Sequence, residues 1–233
     1  MQDHQGHGLG RLVSPKDVRD GNYPATRLMS RMKPSRKYKK WYADVIHIDQ
    51  GAVGSCTAAS LAHVKHDGPF THRPYWVEKP AFDVEKLYCR AQDLDGQPRT
   101  WCSARYDTGA TMRSAGLAAR EGGWIDSFWW FTDFEAALTY LTNDGVLWAG
   151  TWWYSSMSNP APEDGMIQVD GRREGGHAFK VDEISWTHEY IGGKNTWGLD
   201  WGRNGRFRMS FSGFERLHRE QGELLAIAEQ RVQ

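Results

Sequence analysis

Cys56 closes the segment Asp49-Gln50-Gly51-Ala52-Val53-Gly54-Ser55-Cys56. A thiol is a poor nucleophile until it becomes a thiolate. Here it follows a glycine-containing turn and opens a run of helical character. A helix N-terminus carries roughly half a positive charge and stabilises the anion. Gly51 and Gly54 permit a tight turn that presents the sulfur and lets another backbone close in on it. Gln50 precedes the cysteine by six residues. Its side-chain amide can join the backbone N–H of Cys56 as a pair of donors to a developing oxyanion. An isolated cysteine is more often a small buried hydrophobe; this setting favours acyl-transfer chemistry.

A thiolate needs a base, and the base needs a group to orient it. Among nine histidines, His177 has the most suitable neighbourhood. Gly175-Gly176 leave its approach uncluttered, and Ala178-Phe179-Lys180-Val181 continues as a strand. Eighteen residues on comes Asn195-Thr196-Trp197-Gly198, then Trp201-Gly202 and Gly205. The Asn195 amide can accept a hydrogen bond from one imidazole nitrogen and fix the tautomer. Trp197 can cover that bond, with Gly198, Gly202 and Gly205 folding a loop under the two indoles.

These blocks, in this order, resemble the papain-like cysteine peptidases, with a Cys-His-Asn arrangement. The resemblance covers about residues 45–215 and is similar to a divergent branch found in bacteria and their phages. Val53-Gly54-Ser55-Cys56-Thr57 departs from the usual family signature: no cysteine precedes Gly54, and Thr57 stands where an aromatic is usual. The resemblance implies Cys56 as nucleophile, His177 as base and then acid, Asn195 as its orienter and Gln50 in the oxyanion hole. It implies substrate contacts at Gly54, Gly109, Gly176 and Trp197. Gly109 is the expected backbone-pairing residue of a glycine-rich strand; the competing reading of Asp107-Thr108-Gly109 is a helix-entry turn with Thr111 as N-cap. Gly176 stands where many relatives carry Asp. A polypeptide substrate is implied and no cofactor is. The same acyl-enzyme chemistry would serve an amidase acting on peptidoglycan peptides, and a non-catalytic scaffold such as a phage-particle component is the alternative from another class. Family zymogens carry a long helical inhibitory prosegment. The Pro/Gly-rich residues before Gln50 cannot build one, so inhibition of that kind is not expected.

The positioning elements follow from periodicity. A helix is expected from about Ser55, with Ala58, Ala59, Leu61 and Ala62 inward and a stop at Asp67-Gly68-Pro69. Others are expected over Phe82–Ala91, from Thr111 to Glu121 before Gly122-Gly123, and after the capping box Thr132-Asp133-Phe134-Glu135. Beyond Gly145 the texture turns to strands: Val146–Tyr154, Ala178–Ile184, Tyr190–Gly192 and Gly205–Phe211. Helices first and strands later predict an α+β, two-lobed papain-like fold with a cleft between the lobes. The helical lobe is expected over about 46–145 and the β-rich lobe, a sheet or barrel, over about 146–220. Residues 1–45 read as an extended arm, broken by Gly6, Gly8, Gly10 and several prolines, with a basic run from Arg31 to Lys40 as a solvated loop. Gly6-x-Gly8-x-Gly10 follows no strand and is discounted as a nucleotide loop.

Hydrophobic residues at 39% and charged residues at 25% are those of a globular chain, which excludes disorder and coiled coil. Lys+Arg and Asp+Glu number 29 each, so nothing global favours nucleic acid or an anionic membrane. The longest apolar run, Val146–Tyr154, is about half a membrane span. No signal peptide opens the chain, which predicts a cytoplasmic protein, and a monomer is favoured. Three cysteines allow at most one disulfide. Cys89 and Cys102 can pair, but without a secretion signal two reduced thiols are expected. His4-x-x-His7 is weak as a metal site in a floppy terminus, so no metal is expected, and His63 and His66 read as a polar helix face.

Overall fold

The computed structural model describes residues 1–17, 25, 37–41, 46–66, 83–97 and 107–228. Its elements are β1 (Arg11–Leu12), β2 (Tyr38–Lys40), α1 (Cys56–His66), α2 (Val84–Leu94), β3 (Ala110–Thr111), α3 (Met112–Glu121), β4 (Ser127–Phe131), α4 (Phe134–Asn143), β5 (Leu147–Tyr154), β6 (Arg173–Ser185), β7 (Tyr190–Lys194), β8 (Arg206–Ser210), α5 (Phe211–Arg219) and β9 (Glu223–Ala228). The architecture is α+β. Strands run in the order β4-β9-β5-β6-β7-β8, with β2 on the far part of β6. Every pairing in this seven-stranded sheet is antiparallel, and the sheet is not closed into a barrel.

The helices begin where short polar side chains satisfy their first free N–H groups. Thr111 accepts from Ser114 N and opens α3; Asp83 does the same for α2 through Lys86 N. At α4 the cap is Asp133, which accepts from Ala136 N, one residue later than the expected capping box. Asp captures the N–H three residues on just as Thr would, so composition alone does not choose between neighbours.

Two apolar clusters form the core, and the sheet divides them. On one side α1, α2 and α3 bury Leu61, Leu87, Met112 and Ala115 against Trp148 and Leu225. On the other, Trp153, Trp197, Trp201, Phe179, Phe207 and Phe214 pack with α4 and α5. Helix α1 lies across β5 and β6 and is buried on every side, so His63 and His66 are buried rather than a solvated polar face. His63 Nε2 accepts from Ile48 N, and burial holds its pKa well below the ordinary value.

Several elements escaped the period count. Strand β4 pairs along its whole length with Leu224–Ala228 of β9, and α5 follows β8 directly. In the Pro/Gly-rich arm, β1 and β2 form because distant strands supply their partners. Cys89 is disulfide-bonded, which corrects the expectation of a reduced thiol; that expectation rested on compartment, which says nothing about which side chains a fold brings together. Cys102, the Asp67-Gly68-Pro69 stop and Arg31, Lys33 and Arg36 of the basic run lie outside the described residues. Among the described residues no helix is long and apolar enough to cross a membrane.

Candidate active site

Cys56 is the first residue of α1 and is wholly buried. Its sulfur is approached by the backbone N–H groups of Gly10, Ala178 and Thr57. Ala178 neighbours His177 on β6, so the thiol lies against the strand that carries the imidazole. Strand β6 is held centrally, with His177 opposite Thr151 and Ala178 opposite Gly150.

The polarity of His177 follows from its partners. Asn195 Oδ1 accepts from Thr196 N at 2.8 Å and lies 2.6 Å from His177 Nε2. Two donors on one atom identify it as the carbonyl oxygen, so Nε2 must carry the proton. The neutral ring then leaves Nδ1 as a bare acceptor, and Nδ1 is buried without a hydrogen-bond partner. Asn195 follows β7 directly and is anchored by its N–H to Gly205 O. The loop it opens returns through Gly198, Gly202 and Gly205, all with positive φ near 60–76°. Trp197 packs against the imidazole, ring centroids 4.6 Å apart.

Gln50 joins the same constellation. Its N–H donates to Thr196 O, and its Oε1 accepts from Thr196 Oγ1. Gln50 Nε2 donates to Val53 O at 2.6 Å and to Gly8 O at 3.1 Å. Gln50, Asn195, His177 and Trp197 are thus linked through direct contacts and through Thr196, Cys56 meets Ala178, the residue after His177, and Gly54 and Gly176 flank the cysteine and the histidine in sequence. Gly54 sits beside the thiol turn, where its N–H donates to Asp107. Gly109 has φ +78° and gives its N–H to Tyr88 Oη; the next residue, Ala110, donates to an extended backbone instead, and Thr111 caps α3.

That extended backbone is the chain's own N-terminal arm, which runs through the cleft. His7 stacks on Trp197 at 4.4 Å. Gly8 N donates to Gly51 O, and Gly8 O accepts from Gln50 Nε2 and Trp197 Nε1. Gly10 passes over Gly54 and the thiol, and its carbonyl accepts from Ala110 N at 2.8 Å. Arg11–Leu12 then pairs in parallel with Ala110–Thr111. The arm is alternating in character. A Cβ on Gly8 would stand 2.1 Å from Val53 O, and one on Gly10 1.8 Å from Gly54 O. Gly8 and Gly10 face the cleft floor because nothing larger fits there, whereas a Cβ on Gly6 would meet nothing and that residue is a turn with φ +88°. Leu9 and Arg11, pointing the other way, are buried. The period of two was visible in the sequence; its partner was not.

Burial sets the electrostatics. It pushes the Cys56 thiol up to about 11, outweighing the backbone donors. It pushes His177 down to about 4, against the opposing hydrogen bond to Asn195. With the arm in place the pair is held as neutral thiol and neutral imidazole. At the arm's start, His4 and His7 pair with Glu174 and Asp3. Asp3, His4 and Glu174 offer ligand atoms within 4.8 Å of one another, yet Asp3 is already engaged by Ser158, His7 and two backbone N–H groups.

No family model and no curated protein sequence matches the chain. Solved structures do. Xylellain, a cysteine protease from Xylella fastidiosa, superposes with a TM-score of 0.70 at 17% identity, covering 97% of each chain. The chain has the papain-like fold. Procathepsin B S9 from Trypanosoma congolense superposes with a TM-score of 0.68 at 15% identity, over 98% of this chain and 88% of that one. Procathepsin L 3 of Tenebrio molitor gives 0.62 at 13%, over 96% and 76%. At these identities the likeness concerns the fold, and the chemistry rests on the residues in the papain-like cleft. Those residues lie where α1 meets β6.

Proposed function

We propose that the chain is a cysteine peptidase that hydrolyses peptide bonds through a thioacyl-enzyme, here with its arm across the cleft. The observation that carries the reading is the imidazole: its Nε2–H is committed to Asn195, and its bare Nδ1 is buried on the strand that meets the Cys56 thiol. A proton moving from Sγ to Nδ1 yields a thiolate–imidazolium pair. The thiolate attacks the carbonyl carbon, and the backbone N–H of Cys56 with Gln50 Nε2 hold the oxyanion. His177 then gives its proton to the departing amine. Water, deprotonated by His177, cleaves the thioester and restores the thiol. The substrate is a polypeptide in extended form, since Ala110 N–H already donates to the extended backbone of the arm at Gly10 O.

The occluded cleft favours a second reading, a scaffold that performs no turnover, because Cys56 and His177 are both fully buried. Iodoacetamide labelling separates the two. A peptidase whose arm can leave shows slow labelling of Cys56 that accelerates when the arm is weakened by Gly10→Val, with hydrolysis of a casein substrate abolished by Cys56→Ser. A scaffold shows no labelling and no hydrolysis in either form.

A further inference from the structure

The peptide bond between Val53 and Gly54 is held at both of its polar ends. Its carbonyl, Val53 O, accepts from Gln50 Nε2 at 2.6 Å. Its N–H, on Gly54, donates to Asp107 Oδ2 at 2.6 Å, across 53 residues of chain. A trans peptide is planar and points these two groups in opposite directions, so whatever fixes the N–H also aims the carbonyl. A flip of this peptide would turn its N–H toward Gln50 Nε2, donor against donor. The carboxylate comes this close because residue 54 is glycine: a Cβ there would stand 2.8 Å from Asp107 Oδ1 and 3.0 Å from Oδ2. The carboxylate is fixed from its other side as well. Tyr88 Oη donates to Asp107 Oδ1 and accepts from Gly109 N at 3.0 Å and Gln92 Nε2 at 3.3 Å. Tyr88 is buried and the Asp107 side chain is 8% exposed, with the Met1 ammonium 3.9 Å from Oδ2. A hydrogen bond to a carboxylate is stronger than a neutral one, and it polarises the peptide toward a better acceptor at Val53 O.

Resting on the peptidase reading above, we infer that Asp107 is a positioning residue of that reaction: through the Val53–Gly54 peptide it aims the Gln50 amide at the oxyanion, and Tyr88 holds it to that task. The Gln50 carboxamide has a fixed plane with two N–H groups on Nε2. Its Oε1 accepts from Thr196 Oγ1, and one N–H is spent on Val53 O. The other is thereby directed into the cleft, where it meets Gly8 O at 3.1 Å. Tyr88 joins the same carboxylate to Gly109, the neighbour of the Ala110 N–H that holds an extended backbone. The edge that binds backbone and the donor that meets the oxyanion therefore share one buried carboxylate. Asp107 also acts through space, since its charge raises the pKa of the Cys56 thiol. That second effect is separable: Asn and Ala at position 107 remove it equally, and it does not pass through Gln50.

The test uses the full chain and hydrolysis of fluorescently labelled casein. Asp107→Ala is expected to lower kcat by about ten- to hundredfold, approaching the loss of an oxyanion donor outright. KM should stay within about twofold, because the oxyanion exists only in the transition state. Asp107→Asn keeps an oxygen for the Gly54 N–H and should remain within about threefold of the unaltered chain, a neutral acceptor being the weaker one. In a Gln50→Ala background, Asp107→Ala should cost less than about twofold more, since the group it aims is gone. Should Asp107→Ala fail to fold, Asp107→Ser, whose oxygen falls one bond short of Gly54, carries the same cycle. Losses that multiply in the two backgrounds, or equal losses in Asn and Ala, overturn the inference while leaving the peptidase reading intact. A second readout needs no turnover. In ¹⁵N-labelled protein the Gln50 side-chain NH₂ signals, identified by their absence in Gln50→Ala, should shift in Asp107→Ala and hold their place in Asp107→Asn. If no form of the chain cleaves casein and Cys56 resists iodoacetamide, the peptidase reading fails. The NH₂ signals then still decide the link between the two side chains: signals unmoved in Asp107→Ala overturn it, and a shift that Asn restores upholds it.

Discussion

His177 can act as a base only through Nδ1, because its Nε2–H donates to Asn195 Oδ1. On the proposed peptidase reading, removing His177 removes the proton carrier, whereas removing Asn195 removes only the tautomer choice and aim. His177→Ala should therefore lower kcat by about 10²–10⁴-fold, the usual range for a general base, and Asn195→Ala by less. Gln50→Ala should cost about 10²–10³ in kcat, as for one lost oxyanion donor. Gln50 also ties the thiol turn to Thr196, so its melting temperature must be measured beside its rate. A Gln50→Ala enzyme that is folded and fully active would remove it from the oxyanion hole.

At the scale of elements, the arm depends on two glycines that let its backbone touch the cleft floor. Gly10→Ala places a Cβ where Gly54 O stands, and neither side is a flexible side-chain tip that could move away cheaply. The variant should keep its fold, lose the β1–β3 pairing and expose Cys56, read as iodoacetamide labelling faster by about tenfold or more, since labelling follows access to the thiolate. Unchanged labelling would mean that the arm is not what shields the thiol. Elsewhere the sheet carries Lys180, Asp182 and Arg206 as a buried charged group, with Lys180 Nζ 2.8 Å from Asp182. Asp182→Ala leaves two cations without their carboxylate and should destabilise the protein by about 3–5 kcal/mol, seen as a lower denaturation midpoint.

For the whole molecule, the closed state carries a pH signature. His177 titrates near 4 when folded, below its ordinary 6.5. Its contribution is complete above about 6.5 and is lost as pH falls toward 4, because the opened chain takes up a proton that the closed one refuses. Buried His63 acts in the same direction. Cys56 is raised from 9.0 to about 11, so its contribution holds below 9 and is lost as pH climbs toward 11. Melting temperature should therefore be highest between pH 6.5 and 9, and mild acid should favour release of the arm and labelling of Cys56. A melting temperature that rises steadily from pH 7 to pH 4.5 would contradict the buried neutral imidazole.

What the sequence made legible by itself is the candidate residues for the proposed chemistry and their order along the chain. A glycine turn before Cys56, two glycines before His177, and Asn195-Thr196-Trp197 ahead of Gly198, Gly202 and Gly205 are local signals, since turn geometry and strand period depend on neighbouring residues. Helices α1 to α4 were legible for the same reason. The sheet's outer strands β4 and β9 were not: their stability lies in a pairing between residues about a hundred positions apart, which no window sees. The same holds for the arm. Its alternating glycines could be read as a broken coil, because the surface they fit is assembled from Val53, Gly54 and Ala110, distant in the chain. Tertiary structure alone decided that Arg11 meets Glu223 across 212 residues, that Cys89 is bonded, and that the thiol and imidazole are neutral. Each of these depends on what is excluded from water, and burial is a property of the folded chain as a whole.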